Sequence, residues 1–75
     1  MRFDYSNLKA RMALLGITQK ALSEATEISE NTISEKLSKG LGFKPQHINK
    51  ICKELDIDSA EVGLFFFKPS STKQN

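Results

Sequence analysis

The 75-residue chain has few of the side chains from which catalytic and metal centres are built, with one cysteine, one histidine and no tryptophan. The lone Cys52 excludes an intramolecular disulfide, and a chain without a Cys/His cluster offers no zinc site. His47 lies five residues before Cys52, which on a helix places the two side chains about 140° apart, too far for a catalytic dyad. Gly40-Leu-Gly lacks the Lys and Ser/Thr that complete a phosphate-binding loop. We expect neither an enzyme nor a bound cofactor or metal.

Long apolar runs and a large charge of one sign are also missing. No run is long enough to span a bilayer, and the N-terminal residues lack the apolar centre of a signal peptide. We therefore expect a soluble, intracellular protein without a membrane partner. The formal net charge of +2 permits nucleic-acid binding but does not by itself indicate it. At this length we expect one small domain, stabilised by helix packing and helped by dimerisation.

The sequence from residue 18 to residue 40 predicts two short helices joined by a tight turn. Thr18 and Ser29 are N-cap residues whose hydroxyls can accept a hydrogen bond from the first turn. Helix 2 then covers about residues 19–26, and helix 3 about residues 30–39. Their apolar side chains recur at helical spacing, which predicts an inward orientation, for Leu22, Ala25, Ile33 and Leu37. Helices this short need other helices to cover their apolar faces.

A further helix is predicted before this region. Phe3 and Tyr5 are alternating apolar positions, either in a short extended arm or at the entry to helix 1, which Asp4 or Ser6 can cap. Gly16 suits the C-terminus of that helix. Spacings of four and three predict its buried stripe, which consists of Leu8, Met12 and Leu15.

Two helices are predicted after the central region. Residues 40–43 contain two glycines and form a loop, which we expect Leu41 and Phe43 to anchor on the core. Pro45 suits the first turn of helix 4, whose buried stripe is Ile48, Ile51, Cys52 and Leu55. Asp58 and Glu61 have the spacing of a capping box and begin a short helix 5.

The apolar segment 62–67 allows two geometries. On a helix, Val62, Phe65 and Phe66 share one face and Leu64 and Phe67 point away, whereas on a strand Phe65 and Phe67 oppose Leu64 and Phe66. Both faces could pack into the core of a monomer. We favour instead a self-association surface that makes a homodimer, with Leu64, Phe66 and Phe67 as its contacts. The domain then covers residues 1–67, and residues 68–75 form a flexible tail.

A set of residues in helices 2 to 4 carries a family resemblance: Thr18-Gln19, Leu22, Ile28-Ser29, Thr32-Ile33-Ser34, Leu37, Lys39-Gly40 and Phe43. With these residues the chain resembles the lambda-repressor-like DNA-binding domains, in particular small phage Cro and repressor proteins. Residues 31–40 and the following helix look still closer to short phage regulators, including modulator-of-repression proteins. The resemblance covers about residues 5–66. It implies an all-α, compact five-helix domain with a helix-turn-helix at helices 2 and 3.

The resemblance also implies a function, that of a phage-type transcriptional regulator, a Cro-like repressor in the cytoplasm of the bacterial host. Such a protein binds operator DNA with helix 3 in the major groove and controls a lysis/lysogeny-type switch. The implied base-reading positions are Ser29, Glu30, Asn31, Ser34 and Glu35. Gln19 matches a phosphate contact at the start of helix 2, beside Lys20. The remaining implied phosphate contacts are Lys36, Lys39 and Lys44.

Two residues depart from the family pattern. Ser23 stands where a small Ala is usual, and Ser is also small. Glu27 stands where the turn commonly has Gly, and a left-handed Glu costs about 1 kcal/mol.

The charge of residues 18–39 favours a second interpretation. This stretch contains three lysines (20, 36 and 39) and four glutamates (24, 27, 30 and 35), so its net charge is 3 − 4 = −1. DNA-binding surfaces neutralise phosphates with cations, so we expect weak or strongly salt-sensitive DNA binding from a monomer. Alternatively, the chain is a modulator of repression, or antirepressor. In that case Glu30 and Glu35 complement the basic DNA-reading surface of the cognate phage repressor protein.

Overall fold

The computed structural model describes residues 2–70, which form five α-helices and one short 3₁₀ helix. The α-helices are α1 (Ser6–Leu15), α2 (Gln19–Thr26), α3 (Glu30–Lys39), α4 (Pro45–Leu55) and α5 (Val62–Phe66), and the 3₁₀ helix is Ser59–Glu61. No strand occurs among the described residues, where the sole β-type pairing is an isolated antiparallel bridge between Phe3 and Pro69. The all-α prediction is confirmed, as are the predicted bounds of helices 2 and 3. None of the helices within residues 2–70 is long and apolar enough to cross a membrane.

Local signals at the helix ends explain these bounds. Gly16 and Gly40 end α1 and α3 in the left-handed conformation, each with φ of 69°. Thr18 caps α2, because its Oγ1 accepts a hydrogen bond from the N–H of Ala21 at 3.0 Å. Ser29 also occupies an N-cap position, with its carbonyl accepting from the N–H of Ile33. The Ser29 hydroxyl, however, caps no N–H of α3 within the described structure, so the predicted side-chain cap is wrong.

At the starts of α1 and the 3₁₀ helix, aspartate side chains accept a hydrogen bond from the first N–H of the helix. The Asp4 carboxylate accepts from the N–H of Ser6 at 2.8 Å, so Asp4 rather than Ser6 serves the start of α1. Asp58 accepts from the N–H of Ser59 at 3.1 Å. Glu61 does not complete a capping box among the described contacts, because its carboxylate lies 4.0 Å from the Arg11 guanidinium. The prediction of a reciprocal box is therefore wrong.

All five helices contribute to one apolar core. Its buried members are Tyr5, Leu8, Met12, Leu22, Ile28, Ile33, Leu37, Phe43, Ile48, Ile51, Leu55, Ile57, Phe65 and Phe66. Three predicted core residues are exposed instead: Leu15, Ala25 and Leu41. Leu15 stands in the last turn of α1, beyond the reach of the core that covers Leu8 and Met12.

On α2 a polar side chain, Thr26, is buried where Ala25 was expected. The Thr26 hydroxyl donates to the carbonyl of Leu22 at 2.7 Å and accepts from the N–H of Ile28 at 3.4 Å. Burial of a polar group is tolerated when it is hydrogen-bonded, which is why this position accepts a threonine.

The first residues form an extended arm, which decides between the two alternatives for Phe3. The N–H of Phe3 donates to the carbonyl of Gly40 at 2.9 Å, so the arm closes over the C-terminal end of α3. On its other side the N–H of Asp4 donates to Lys68, and the N–H of Ser70 donates to Arg2. Residues 68–70 were expected to be flexible and are paired with the arm instead. Residues 71–75 of the predicted tail lie outside the described residues.

The apolar segment 62–67 adopts the helical alternative. Phe65 and Phe66 are buried, whereas Leu64 is 55% and Phe67 is 47% exposed. Phe66 is 1% exposed, and its ring packs edge-on against that of Phe43 with centroids 5.8 Å apart. The assignment of Phe66 to the self-association surface is therefore wrong, because a core side chain is not available to a second copy.

Candidate recognition surface

The connection between α2 and α3 is held by hydrogen bonds at residues 27–29. Glu27 adopts the left-handed conformation with φ of 62°, and its N–H donates to the carbonyl of Ser23 at 2.8 Å. The Ser23 hydroxyl in turn donates to the carbonyl of Ile28 at 2.5 Å. Ser23 therefore makes a contact that an alanine could not make, which gives this departure from the expected pattern a physical reason.

The helix α3 has one apolar face and one polar face. Ile33 and Leu37, four residues apart, are buried. Asn31 and Glu35 lie about 160° around the helix from Ile33 and are exposed. The five side chains predicted as base-reading are all exposed: Ser29, Glu30, Asn31, Ser34 and Glu35. The outward face of α3 is thus a continuous polar surface on a helix anchored from behind.

Two of the three lysines expected to contact phosphate already have partners within the chain. The Lys39 ammonium lies 3.1 Å from the Glu35 carboxylate. The Lys36 ammonium donates to the carbonyl of Gly42 at 2.9 Å and lies 5.9 Å from the centre of the Phe43 ring. Both lysines would have to exchange or share these partners to bind a phosphate.

Negative charge dominates the outward face of α3 as a result. Glu30 stands in the first turn, where a carboxylate favours the positive end of the helix dipole. Among the described residues Glu30 has no ion-pair partner, whereas Glu35 is paired with Lys39. The N-terminal half of α3 therefore presents a free carboxylate beside the Asn31 amide.

The start of α2 holds the remaining predicted contacts. Gln19 is half-buried and Lys20 is exposed, and both lie in the first turn that Thr18 caps. Exposed N–H groups and the helix dipole at such a position favour an anion.

Three lysines and one histidine lie around the first half of α4 and form what we call the α4 basic patch: Lys36 from α3, with Lys44, His47 and Lys50. Lys44 and Lys50 are exposed, and His47 is half-buried. Burial and the charges of the three lysines all lower the pKa of His47. The His47 Nδ1 atom is buried and accepts or donates no hydrogen bond within residues 2–70, so charging the ring would leave an N–H unpaired there.

The sequence predicts Lys36 and Lys44 as phosphate contacts and leaves His47 as either a surface residue or a phosphate-side contact near the start of helix 4, but Lys50 is not predicted. A signal for Lys50 exists, because residues 44, 47 and 50 recur every three positions along helix 4. The contact of Arg2 is not predicted either: its guanidinium donates to the carbonyl of Lys39 and covers the C-terminal end of α3. That contact joins residues 37 positions apart and has no local signature.

The described residues include few side chains of the kinds that bind metals or act as nucleophiles. No group of three or more His, Cys, Asp or Glu side chains that could hold a metal ion occurs in the described part of the chain. Cys52 is half-buried beside the core, and burial raises the pKa of its thiol. A thiol in such surroundings is less reactive than a free one.

A family model described as a protein of unknown function (DUF739) matches residues 1–69. The match covers nearly the whole chain, and the chain belongs to this family. No match is found among curated proteins.

Proposed function

We propose that the chain is a transcription regulator of the helix-turn-helix class, with α2, residues 27–29 and α3 as the motif and operator DNA as the partner. The exposed polar face of α3, set on a helix that Ile33 and Leu37 anchor, carries this proposal. A helix of ten residues is about 15 Å long and about 10–12 Å in diameter. It fits a major groove about 12 Å wide.

The side chains of the outward face match base edges in kind. An Asn amide such as that of Asn31 can pair bidentately with adenine. The carboxylates of Glu30 and Glu35 can accept from the cytosine amino group, and the hydroxyls of Ser29 and Ser34 can pair with several bases. We infer that Gln19, in the first turn of α2, contacts a phosphate.

The cations define how strongly this binding depends on salt. Lys20 and Lys44 are exposed, whereas Lys36 and Lys39 have internal partners to exchange. Each phosphate contact contributes through counterion release. We therefore expect binding that weakens steeply with salt for one copy, and a two-fold operator on which a second copy doubles the contacts.

The Asn31→Ala variant tests base reading. We expect it to lose about 1–3 kcal/mol of affinity for the operator and to keep its affinity for random DNA. Asn49→Ala is the matched control, because Asn49 is an exposed asparagine on α4. Binding is measured by fluorescence anisotropy at fixed salt. Equal losses on operator and random DNA remove the base-reading role.

The free carboxylate of Glu30 favours a second candidate function, that of a modulator that binds a partner repressor through the same surface. The outward face of α3 carries Glu30, Glu35 and Lys39, with Lys39 already paired to Glu35. Such a face complements the basic DNA-reading surface of a repressor, and charge complementarity supplies specificity and association rate.

Charge reversal tests the second candidate. Glu30→Lys combined with Glu35→Lys should abolish a complex with the DNA-binding domain of the cognate repressor, as measured by size-exclusion chromatography. Glu54→Lys on α4 is the control, since Glu54 is exposed on another helix. Circular dichroism verifies that both variants fold. A complex that survives the double reversal sinks this candidate.

A further inference from the structure

We propose that the α4 basic patch binds the phosphodiester backbone of DNA, and that His47 is the titrating member of this surface, so that protonation strengthens binding. The identification of the polyanion as DNA rests on the function proposed above. The α4 basic patch extends beyond α3, and it adds His47 and Lys50 to the residues proposed above to contact DNA.

The placement of the four side chains brings them to one side of α4. Lys44, His47 and Lys50 follow one another at intervals of three, so each lies about 60° around the helix from the last and about 4.5 Å further along its axis. Lys36 reaches the same side from α3, because its ammonium is bonded to Gly42 in the loop that leads to α4.

The patch is a strip rather than a point. From residue 44 to residue 50 it extends about 9 Å along α4. Phosphates recur about every 3.4 Å of axis along one DNA strand. A strip of this length therefore faces more than one phosphate, which suits an extended polyanion better than a single small anion.

The charges that act on His47 are of one sign. They come from Lys36 on α3, from Lys44 at the N-cap of α4 and from Lys50 in the middle of α4. Together with burial, these cations lower the pKa of the imidazole in the free protein. A phosphate backbone lying on the patch screens the lysines and favours the charged ring, so bound DNA raises the pKa of His47.

The sign of the pH dependence follows from this difference. Because the pKa is higher in the complex than in the free protein, DNA binding is strongest below the free-protein pKa. The added affinity is lost as the pH rises through the pKa of the complex. A difference of one pKa unit corresponds to about a tenfold change in affinity.

His47 is the single histidine of the chain, so its ring signals in an NMR titration are unambiguous. A short duplex of arbitrary sequence at low salt serves as the probe. We expect the pKa of His47 to rise when the duplex is added. Affinity should be higher at about pH 5.5 than at about pH 8. His47→Gln should remove that difference and keep the affinity at the higher pH.

Lysine variants test the rest of the surface. Log affinity falls as log salt rises, and Lys44→Gln and Lys50→Gln should each make that slope shallower by about 0.9. Lys9→Gln should leave the slope unchanged. It is the control, because Lys9 is an exposed lysine on a different helix, α1.

The outcomes separate this inference from the proposed function. A duplex that binds without moving the pKa of His47, and whose salt dependence is the same with Lys50→Gln as with Lys9→Gln, overturns the patch. The proposed function survives that result if Asn31→Ala still lowers operator affinity. Conversely, the pKa of His47 could shift while Asn31→Ala changes the affinity for operator and random duplexes equally. That result supports the patch and removes base reading. A duplex that fails to bind at low salt overturns both.

Discussion

Glu27 accepts a backbone conformation that a side chain makes unfavourable. Its φ of 62° is left-handed, and an L-residue with a Cβ pays about 1–2 kcal/mol there. The conformation persists because the N–H of Glu27 is bonded to Ser23 and the next residue, Ile28, is buried. The exposed Glu27 carboxylate adds its negative charge to those of Glu24 and Glu30.

Glycine at this position should stabilise the fold. We expect Glu27→Gly to raise the free energy of unfolding by up to about 1 kcal/mol, because relief of the left-handed strain exceeds the added entropy of the unfolded chain. The same change at Glu24, inside α2, should lower it by about 0.5–1 kcal/mol. Urea denaturation followed by circular dichroism measures both. A lower stability for Glu27→Gly would contradict the strain at this residue.

At the scale of the element, α3 is held at its C-terminal end by the arm. The N–H of Phe3 bonds to Gly40, and the guanidinium of Arg2 covers the carbonyl of Lys39. A Cβ on Gly40 would lie 2.6 Å from the carbonyl oxygen of Phe3. The contact therefore requires glycine for both its φ and its lack of a side chain.

Two glycines in the same conformation separate these requirements. Gly16 and Gly40 both have φ of 69°, but a Cβ on Gly16 meets nothing within 4 Å. We expect Gly16→Ala to cost about 1 kcal/mol of stability. Gly40→Ala should cost at least about 1 kcal/mol more, because it also displaces the arm and its hydrogen bonds. Equal losses in chemical denaturation would show that the arm does not restrain α3.

The elements with local signals were predictable, and the long-range pairings were not. Thr18, Gly16 and Gly40 define helix ends by their own side chain or lack of one, so the end of helix 1, the start of helix 2 and the end of helix 3 follow from the sequence. The bond between Phe3 and Gly40 and the pairing of residues 68–70 with the arm depend on tertiary closure. Periodicity also fails at helix margins, where Leu15 and Ala25 share the spacing of core residues but lie outside the core.

The candidate site was predictable in its exposed residues and not in its contacts. Asn31 and Glu35 are exposed because Ile33 and Leu37 fix the rotation of α3. The engagement of Lys36 by Gly42 and Phe43 depends on the path of the loop after α3, which hydrophobic spacing does not encode.

At the scale of the whole molecule, the apolar surface of α1 and α5 is uncovered. Leu14 is 79% exposed and lines a groove of about 230 Å³ together with Leu64. The polar groups of this groove have internal partners, since Asn7 bonds to the carbonyl of Leu64 and Arg11 to those of Leu55 and Asp56. A protruding leucine beside an apolar groove suits a two-fold contact between copies, in which each Leu14 enters the partner's groove.

We predict that the protein self-associates through this apolar surface of α1 and α5. We expect concentration-dependent dimers in analytical ultracentrifugation, weak because few large apolar side chains are exposed. Leu64→Ser should shift the protein towards monomer, and so should Leu14→Ser, because both side chains line the groove. Leu41→Ser is the control, because Leu41 is an exposed leucine in the loop between α3 and α4. A wild type that stays monomeric at high concentration refutes the dimer.

We propose that the outward face of α3 recognises operator DNA. It is tested by a gel shift of the protein on its own regulatory region, with and without the cognate repressor. The proposal predicts a discrete complex with the protein alone, lost in Asn31→Ala and retained in Asn49→Ala. A protein that gives no complex alone, but removes the complex made by the repressor, would contradict DNA reading and assign the face of α3 to a protein partner.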